Sequence, residues 1–258
     1  MKLGSTDANT WEISENVIDL ARGPRAPVRM AIAARGKSVV IDRAATAMIV
    51  IDMQNFFCHP DARRGAGKPG VDRTDSPATA AGGDDSLPAA RPIAPLMQLL
   101  PRLRQWQVPI IWLNWGNRRD KLNLAPNHLR PFHRQGGMRP PLIDRGSWDA
   151  EVVAPLVVDD DDIRVDKYRI SGFWDTPLDS ILRNLRVQTL LFAGVNLDQC
   201  VYATLLDASC LGYDCILVED CAATSSPDFC AQGALYNIER GLGFVTDSAA
   251  VLAARSEP

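Results

Sequence analysis

The sequence has few of the features that mark nucleic-acid-binding, membrane and metal-binding proteins. Lys and Arg number 28 against 31 Asp and Glu, so the net charge is -3, without the basic excess that a polyanion would require. The longest apolar runs, such as 47–51 and 189–195, are far shorter than the roughly 20 residues that span a bilayer. Only three His are present, and the six Cys form no CxxC pair, which argues against a zinc ribbon or a thioredoxin-type site. We therefore expect no nucleic-acid partner, no membrane association and no metal or other cofactor.

The N-terminus lacks the apolar segment of a secretory signal, so we expect a cytoplasmic protein with reduced thiols. The chain has 258 residues, 46% of them hydrophobic, which is enough for one full-sized domain with a buried core. Residues 1–44 show no sustained helical periodicity and are interpreted as an extended N-terminal arm before a domain at 45–258. The arm is either a disordered tail or packs on the domain or on a neighbouring subunit.

From residue 45 onward, patterns typical of buried strands alternate with helical patterns. This order predicts an α/β fold, a three-layer α/β/α sandwich with a mainly parallel sheet. Two irregular stretches, 61–90 and 115–146, follow strand ends and can cover a site there. The predicted strands are 46–52, 108–114, 162–167, 188–195, 213–220 and 243–246, and the predicted helices are 92–106, 147–156, 178–185, 198–211 and 227–240.

Polar residues stand at the ends of four predicted strands. Asp52, Asn114, Lys167 and Asn196 each lie at or just beyond the C-terminal end of a different strand. Because ligands of parallel α/β sheets bind at the carboxyl ends of the strands, these residues predict one convergent site. Cys200 falls in the first turn of the helix after the strand that ends at 195, where free N–H groups and the helix dipole favour a thiolate. Cys200 is therefore a candidate nucleophile with a lowered pKa, although a Cys at a helix start is often only a packing residue.

Asp52 and Lys167 form a candidate pair of charges. Burial raises the pKa of a carboxyl and suits it for moving protons. A nearby Lys would hold the carboxylate in place and stabilise negative charge on a thiolate. A buried ion pair without chemistry is the alternative interpretation of the same two residues.

Three segments resemble a known family: IVIDMQNFF at 49–57, VDKYRISGFWDTPLDSILRNL at 165–185 and LLFAGVNLDQCVYATLLDASCLGYDCILVEDCAATS at 190–225. They resemble the isochorismatase-like cysteine hydrolases, from about residue 45 to the end of the chain. The resemblance implies a catalytic triad of Asp52, Lys167 and Cys200. It also implies a cis peptide before Asn196, with the amides of Asn196 and Cys200 forming an oxyanion hole.

The sequence departs from the family pattern at two places. Phe56 stands where many members have an Asp, which changes the pocket wall and leaves the triad intact. The nicotinamidase branch binds a metal through an Asp and several His in the loop after the first strand. Here that loop has only His59, while His128 and His133 lie far along the chain, so we expect no metal site.

The segment KYRISGFWDTPLD resembles the ureidoacrylate amidohydrolases, and related enzymes hydrolyse biuret, triuret and N-carbamoyl compounds. The resemblance implies a cysteine-dependent amidohydrolase that cleaves a small linear ureide or amide through a thioester, and a homo-oligomer. Arg118 and Arg119 leave room for a carboxylate-bearing substrate such as an N-carbamoyl amino acid. The candidate substrate contacts are Asn114 for an amide edge and, as flat walls that can equally be core residues, Phe57, Trp115, Tyr168, Phe173 and Tyr202.

Two further functions remain open from the sequence. One is a non-catalytic family member that acts as a binding protein, against which the intact triad argues. The other is a thiol redox protein that pairs Cys200 with Cys221 or Cys230.

Overall fold

The computed structural model describes residues 1–7, 9–22, 25–61, 87–129, 133–134, 137–138 and 143–256. The predicted loop at 61–90 lies almost wholly outside the described residues, and so does part of the loop at 115–146. The strands are β1 Lys2–Thr6, β2 Asn9–Ile13, β3 Ile18–Asp19, β4 Arg29–Ala34, β5 Lys37–Asp42, β6 Thr46–Ile51, β7 Ile110–Trp115, β8 His133–Arg134, β9 Gly137–Met138, β10 Ile163–Lys167, β11 Thr189–Val195, β12 Asp214–Ala223, β13 Phe244–Thr246 and β14 Arg255–Ser256. The α-helices are α1 Asn55–Cys58, α2 Ile93–Gln105, α3 Pro126–Leu129, α4 Leu178–Asn184, α5 Tyr202–Cys210, α6 Asp228–Asn237 and α7 Ser248–Leu252.

Six strands form the central sheet, in the order β10-β7-β6-β11-β12-β13. Every neighbouring pair is parallel. β6 is buried along its whole length because its side chains alternate between two cores, with Met48 and Val50 on one face and Ile49 and Ile51 on the other. Helix α2 covers the first face, and α4, α5 and α6 cover the second. This arrangement confirms the predicted α/β/α sandwich.

Part of the N-terminal arm packs on the domain. Met30, Ile32 and Ile41 of the β4–β5 hairpin are buried in the first core. The hairpin pairs with β14, and the Arg35 amide donates to Val245 O of β13 at 2.9 Å. Of the alternatives left open by the sequence, residues 29–42 therefore show packing on the domain itself.

The predicted helix at 147–156 is wrong, because only one 3₁₀ turn forms there, at Trp148–Ala150. The main chain after this turn bonds to the segment that follows β6 instead. Asn55 N donates to Glu151 O, and Val153 N donates to Met53 O, both at 2.9 Å. These bonds use the backbone groups that a helix would have needed.

None of the described helices is both long enough and apolar enough to cross a membrane. The longest of them, α2, has 13 residues, whereas a spanning helix needs about 20.

Candidate active site

The carboxyl end of β6 is shaped by a close approach of β11. Asp52 leaves the strand with a φ of 54°, and its amide donates to Leu113 O at 3.1 Å. Gly194 has a φ of 116°, and a Cβ at this position would lie 1.9 Å from Ile51 O. Only glycine fits there, so the two strands meet directly beneath Asp52.

Three side chains from distant parts of the sequence meet above this edge of the sheet. Lys167 Nζ, at the end of β10, lies 3.0 Å from Asp52 Oδ2 and 3.4 Å from Cys200 Sγ. Asp52 and Lys167 are completely buried, and Cys200 is 5% exposed. The structure thus brings together the three residues that the resemblance names as a triad.

Two further contacts hold the Lys167 ammonium. It donates to Arg169 O at 3.2 Å, and it lies 3.9 Å from the centre of the Trp115 ring. An aromatic face at this distance attracts a cation, and the attraction is stronger where water is excluded. A buried ammonium normally needs such compensation, and here a carboxylate, a carbonyl and an indole provide it.

Gln54 fixes the position of Trp115. Its Nε2 donates to Trp115 O and to Ala150 O, both at 2.8 Å, and its Oε1 accepts from Trp115 N at 3.0 Å. Gln54 is fully buried, and these three bonds satisfy the donors and the acceptor of its side-chain amide without water. We did not single out Gln54 from the sequence, although it lies two residues after Asp52 in the segment that carries the resemblance.

Burial dominates the electrostatics of Asp52. It raises the pKa of the carboxyl, while Lys167 and the Cys200 thiol act in the opposite direction. Within the described part of the chain, neither carboxylate oxygen has a hydrogen bond of regular geometry, so the contact with Lys167 is an ion pair. A carboxylate with a raised pKa and available lone pairs is suited to accept a proton.

The prediction of a lowered pKa for Cys200 is wrong. Burial raises the pKa of the thiol to about 12, although the Lys167 charge lowers it; Asp52 raises it further. The helix-start argument fails because desolvation of the thiolate outweighs the helix dipole at a nearly inaccessible sulfur. Cys200 therefore rests as a thiol and needs a base to remove its proton.

Thr204 links the Cys200 segment to the turn after β10. Its hydroxyl donates to Cys200 O at 2.7 Å and accepts from Gly172 N at 3.1 Å. A Cβ on Gly172 would lie 2.1 Å from a Leu113 methyl, so the turn packs closely on β7. Thr204 was not among the predicted site residues, although its position four residues after Cys200 places it on the same helical face.

The cis peptide implied by the resemblance is present between Val195 and Asn196. Asn196 O accepts from the amides of Gln199 and Val201 at 3.0 and 3.2 Å. Asn196 Oδ1 accepts from Ser225 N at 3.3 Å. The turn that presents Cys200 is thus held by its own backbone and by the loop after β12.

Of the proposed flat walls, Trp115 contacts the triad through the Lys167 ammonium. Phe57 packs against the first core, on the opposite face of the sheet from Cys200. Phe173 packs on the second core, with its ring 5.9 Å from that of Tyr213.

The other three predicted substrate contacts are Tyr168, Tyr202 and Asn114, and both tyrosine hydroxyls are hydrogen-bonded within the protein. The Tyr168 hydroxyl donates to Asp175 O at 2.9 Å, and the Tyr202 hydroxyl accepts from Asn237 Nδ2 at 3.2 Å. Asn114 Oδ1 is buried and has no hydrogen-bond partner among the described residues. Along β7, Asn114 alternates with Trp115 and so lies on the face of Trp112, which packs in the first core.

The positions of the His, Cys and acidic residues bear on metal binding and on disulfide formation. The described residues contain no group of three or more His, Cys, Asp or Glu that could hold a metal ion. No disulfide joins any of the six cysteines, all of which lie within the described residues. Cys221 packs in the core on the other face of the sheet from Cys200, which does not place the two for the close approach that a disulfide needs.

Known proteins share this fold and much of the sequence pattern. Residues 46–250 match the family model described as Isochorismatase domain. A cysteine hydrolase from Pseudomonas syringae pv. phaseolicola is 27% identical, with a TM-score of 0.66, over 82% of this chain and 92% of that chain.

Two more solved structures share the fold. An isochorismatase family protein from Desulfovibrio vulgaris is 24% identical, with a TM-score of 0.62, over 80% of this chain and 96% of that one. The N-carbamoylsarcosine amidase from Thermoplasma acidophilum is 24% identical, with a TM-score of 0.58, over 79% and 96%. Because the family model spans most of its length, this chain belongs to the isochorismatase-domain family of hydrolases.

Proposed function

We propose that this protein is a cysteine-dependent amidohydrolase that cleaves a C–N bond of a small linear ureide or amide. One observation carries the proposal: Lys167 Nζ lies 3.0 Å from Asp52 Oδ2 and 3.4 Å from Cys200 Sγ in a buried setting. A thiol, a carboxylate and an ammonium in contact supply a nucleophile, a base and a stabilising charge. A homo-oligomeric enzyme is part of the same proposal.

The first half of the reaction forms a thioester. Asp52 takes the proton of the Cys200 thiol, and the sulfur attacks the substrate carbonyl carbon. Lys167 stabilises the developing thiolate, whose formation burial otherwise opposes. The amides of Asn196 and Cys200 bind the resulting oxyanion, an effect worth about 3 kcal/mol per donor. When the C–N bond breaks, Asp52 returns the proton to the nitrogen, which leaves as ammonia or an amine.

The second half hydrolyses the thioester. A water molecule gives a proton to Asp52 and attacks the acyl carbon. The C–S bond breaks, the proton returns to sulfur, and the acid product leaves. The raised pKa of the Asp52 carboxyl suits this double role, because the same group must accept and release a proton near neutral pH.

One observation favours a neutral amide over a carboxylate-bearing substrate. The guanidinium of Arg118 is already engaged by Asp120 at 2.5 and 2.9 Å, which weakens the case for a carboxylate at that position.

An ammonia-release assay over biuret, triuret, ureidoacrylate and N-carbamoyl amino acids tests the proposal. We expect Cys200→Ala to lower kcat by about 10⁴-fold or more, and Asp52→Asn by about 10³-fold or more, because each removes an essential group. Cys210→Ala is the matched control, since Cys210 is an exposed thiol at the far end of α5. Normal turnover by Cys200→Ala, or no turnover of any of these compounds by the parent protein, would contradict the proposal.

A further inference from the structure

Helix α6 has apolar side chains on two opposite faces. On the inner face, Ala234 and Ile238 are buried in the second core, and Leu235 packs against it. On the outer face, Phe229 is 72% exposed and Tyr236 is 65% exposed. A helix that is apolar all round is normally covered on every side, but the described part of the chain leaves these two rings in contact with solvent.

The two exposed rings lie on one stripe of the helix. Phe229 and Tyr236 are seven residues apart, which is about two helical turns, so both side chains project from the same side. Such a stripe can pair with itself. When two copies of α6 pack antiparallel about a two-fold axis, Phe229 of one copy faces Tyr236 of the other, and the reciprocal contact forms at the same time.

Opposite charges flank the stripe. Asp228 is the first residue of α6, and Arg240 lies in the π-helical turn Ile238–Leu242 that continues the helix. Both are exposed, and neither forms an ion pair within the described ranges. The next residue along the turn differs, because Glu239 Oε2 accepts from Arg35 Nη1 at 3.3 Å. The fold thus leaves one acid and one base of α6 for another molecule.

These charges favour the antiparallel direction over the parallel one. A parallel pair would bring Asp228 beside Asp228 and Arg240 beside Arg240, which is repulsive at both ends. The antiparallel pair brings Asp228 of one copy towards Arg240 of the other. When Phe229 faces Tyr236, these two charged residues are offset by about 4.5 Å along the axis, at 1.5 Å per residue, which an arginine side chain can span.

We propose that the outer face of α6 is the self-association surface of this protein, and that α6 of a second copy covers it in an antiparallel two-fold pair. Burial of the Phe229 and Tyr236 rings drives the association, and the Asp228–Arg240 pairs set its direction. One helix is a small area beside the roughly 800 Å² per partner of a standard interface, so we expect a Kd in the micromolar range. The inference rests on the homo-oligomer in the proposed function and is independent of the reaction.

Analytical ultracentrifugation of the full-length protein at about 1–100 μM tests the contact between the rings. We expect the parent to form a dimer in this range, and Phe229→Ala and Tyr236→Ala each to raise its Kd by about tenfold or more. Val157→Ala is the matched control, because Val157 is an apolar residue outside α6 that is 68% exposed. Circular dichroism spectra equal to that of the parent separate a loss of association from misfolding.

Charge reversal tests the antiparallel geometry. Asp228→Arg places two arginines at each end of the pair, and Arg240→Asp places two aspartates there, so each variant alone should associate about tenfold more weakly. An equimolar mixture of the two variants has opposite charges at both ends, so its Kd should return to within about threefold of the parent value. Asp160→Arg, at an exposed acid outside α6, is the control and should change neither association.

Three results would overturn the interface. A parent that stays monomeric at about 100 μM contradicts both this interface and the proposed homo-oligomer, while ammonia release by that monomer leaves the amidohydrolase standing. An oligomer that Phe229→Ala and Tyr236→Ala leave unchanged is held by another surface. A mixture of the two charge-reversal variants that associates no better than either variant alone contradicts the antiparallel pairing.

Discussion

At the scale of single residues, burial sets the protonation of the proposed triad. The Cys200 thiol has a pKa raised to about 12, and the pKa of Asp52 is also raised, in both cases mainly because the charged form loses its hydration. Lys167 opposes this effect for both groups, and the Cys200 thiol also opposes it for Asp52. In the proposed mechanism, the proton that activates the sulfur therefore moves within the buried site, from thiol to carboxylate.

The raised thiol pKa gives a titration that can be measured. As the pH rises from 7 to 10, we expect Cys200 to stay protonated, because its pKa of about 12 lies above the ordinary 9.0. The absorbance at 240 nm, which reports thiolate, should then be the same in the folded parent and in Cys200→Ala over this range. In urea the two proteins should differ, since the unfolded thiol titrates near the ordinary value of 9.0. A folded-state difference that appears below pH 9 would show that Lys167 outweighs burial.

At the scale of elements, the ends of β6 and β11 approach so closely that only glycine fits at position 194. Gly194 has a positive φ, and a side chain at this position would collide with Ile51 O. Asp52 follows Ile51 directly, so the geometry that orients the carboxylate depends on this contact. The predicted helix at 147–156 does not form, because backbone groups of this segment bond to the segment after β6.

Gly194→Ala should lower the free energy of unfolding by about 3 kcal/mol, because the new methyl meets a carbonyl oxygen and the backbone disfavours it. Gly233→Ala is the control, because it should change the free energy of unfolding in the opposite direction. Gly233 lies within α6, and its Cβ would meet nothing within 4 Å, so the change should raise stability by about 0.5–1 kcal/mol. Urea denaturation measures both. Equal effects of the two substitutions would rule out the close approach.

At the scale of the whole molecule, two cores on either face of one sheet hold the strand ends in place. The β4–β5 hairpin adds Met30, Ile32 and Ile41 to the first core, although these residues lie before the pattern of strands and helices begins. The hairpin is thus part of the packed unit. The β1–β3 sheet is more exposed and contacts the domain through Asn9 Nδ2, which donates to Asn184 Oδ1 at 2.6 Å.

An Ile→Ala substitution in the β4–β5 hairpin and another in the β1–β3 sheet should differ in their effect on stability. Ile32→Ala should cost about 2–5 kcal/mol, because Ile32 is completely buried and its truncation leaves a cavity. Ile18→Ala should change stability by less than about 0.5 kcal/mol, since Ile18 is 58% exposed. Chemical denaturation compares the two with the parent. A large loss at Ile18 would mean that the β1–β3 sheet is covered by a partner, as in the proposed homo-oligomer.

Much of the fold follows from local patterns. The apolar runs at 46–52 and 188–195 predicted strands within one residue of their observed bounds, because a strand buried on both faces needs a continuous apolar run. The helix at 92–106 was equally clear from its spaced leucines. The packing of the N-terminal arm and the absence of a helix at 147–156 did not follow from local patterns, since the backbone partners of both segments lie far away in the chain.

Local sequence patterns were enough to predict the order of strands and helices and the α/β architecture, and the family resemblance named the three residues that meet above the sheet. Periodicity is a local property, and the triad residues stand in short segments with a family pattern. It took the folded arrangement to show that burial raises the pKa of the thiol, that Trp115 covers the Lys167 ammonium and that Gln54 holds Trp115. These properties depend on burial and on contacts between residues distant in the chain, and no single stretch of sequence specifies either.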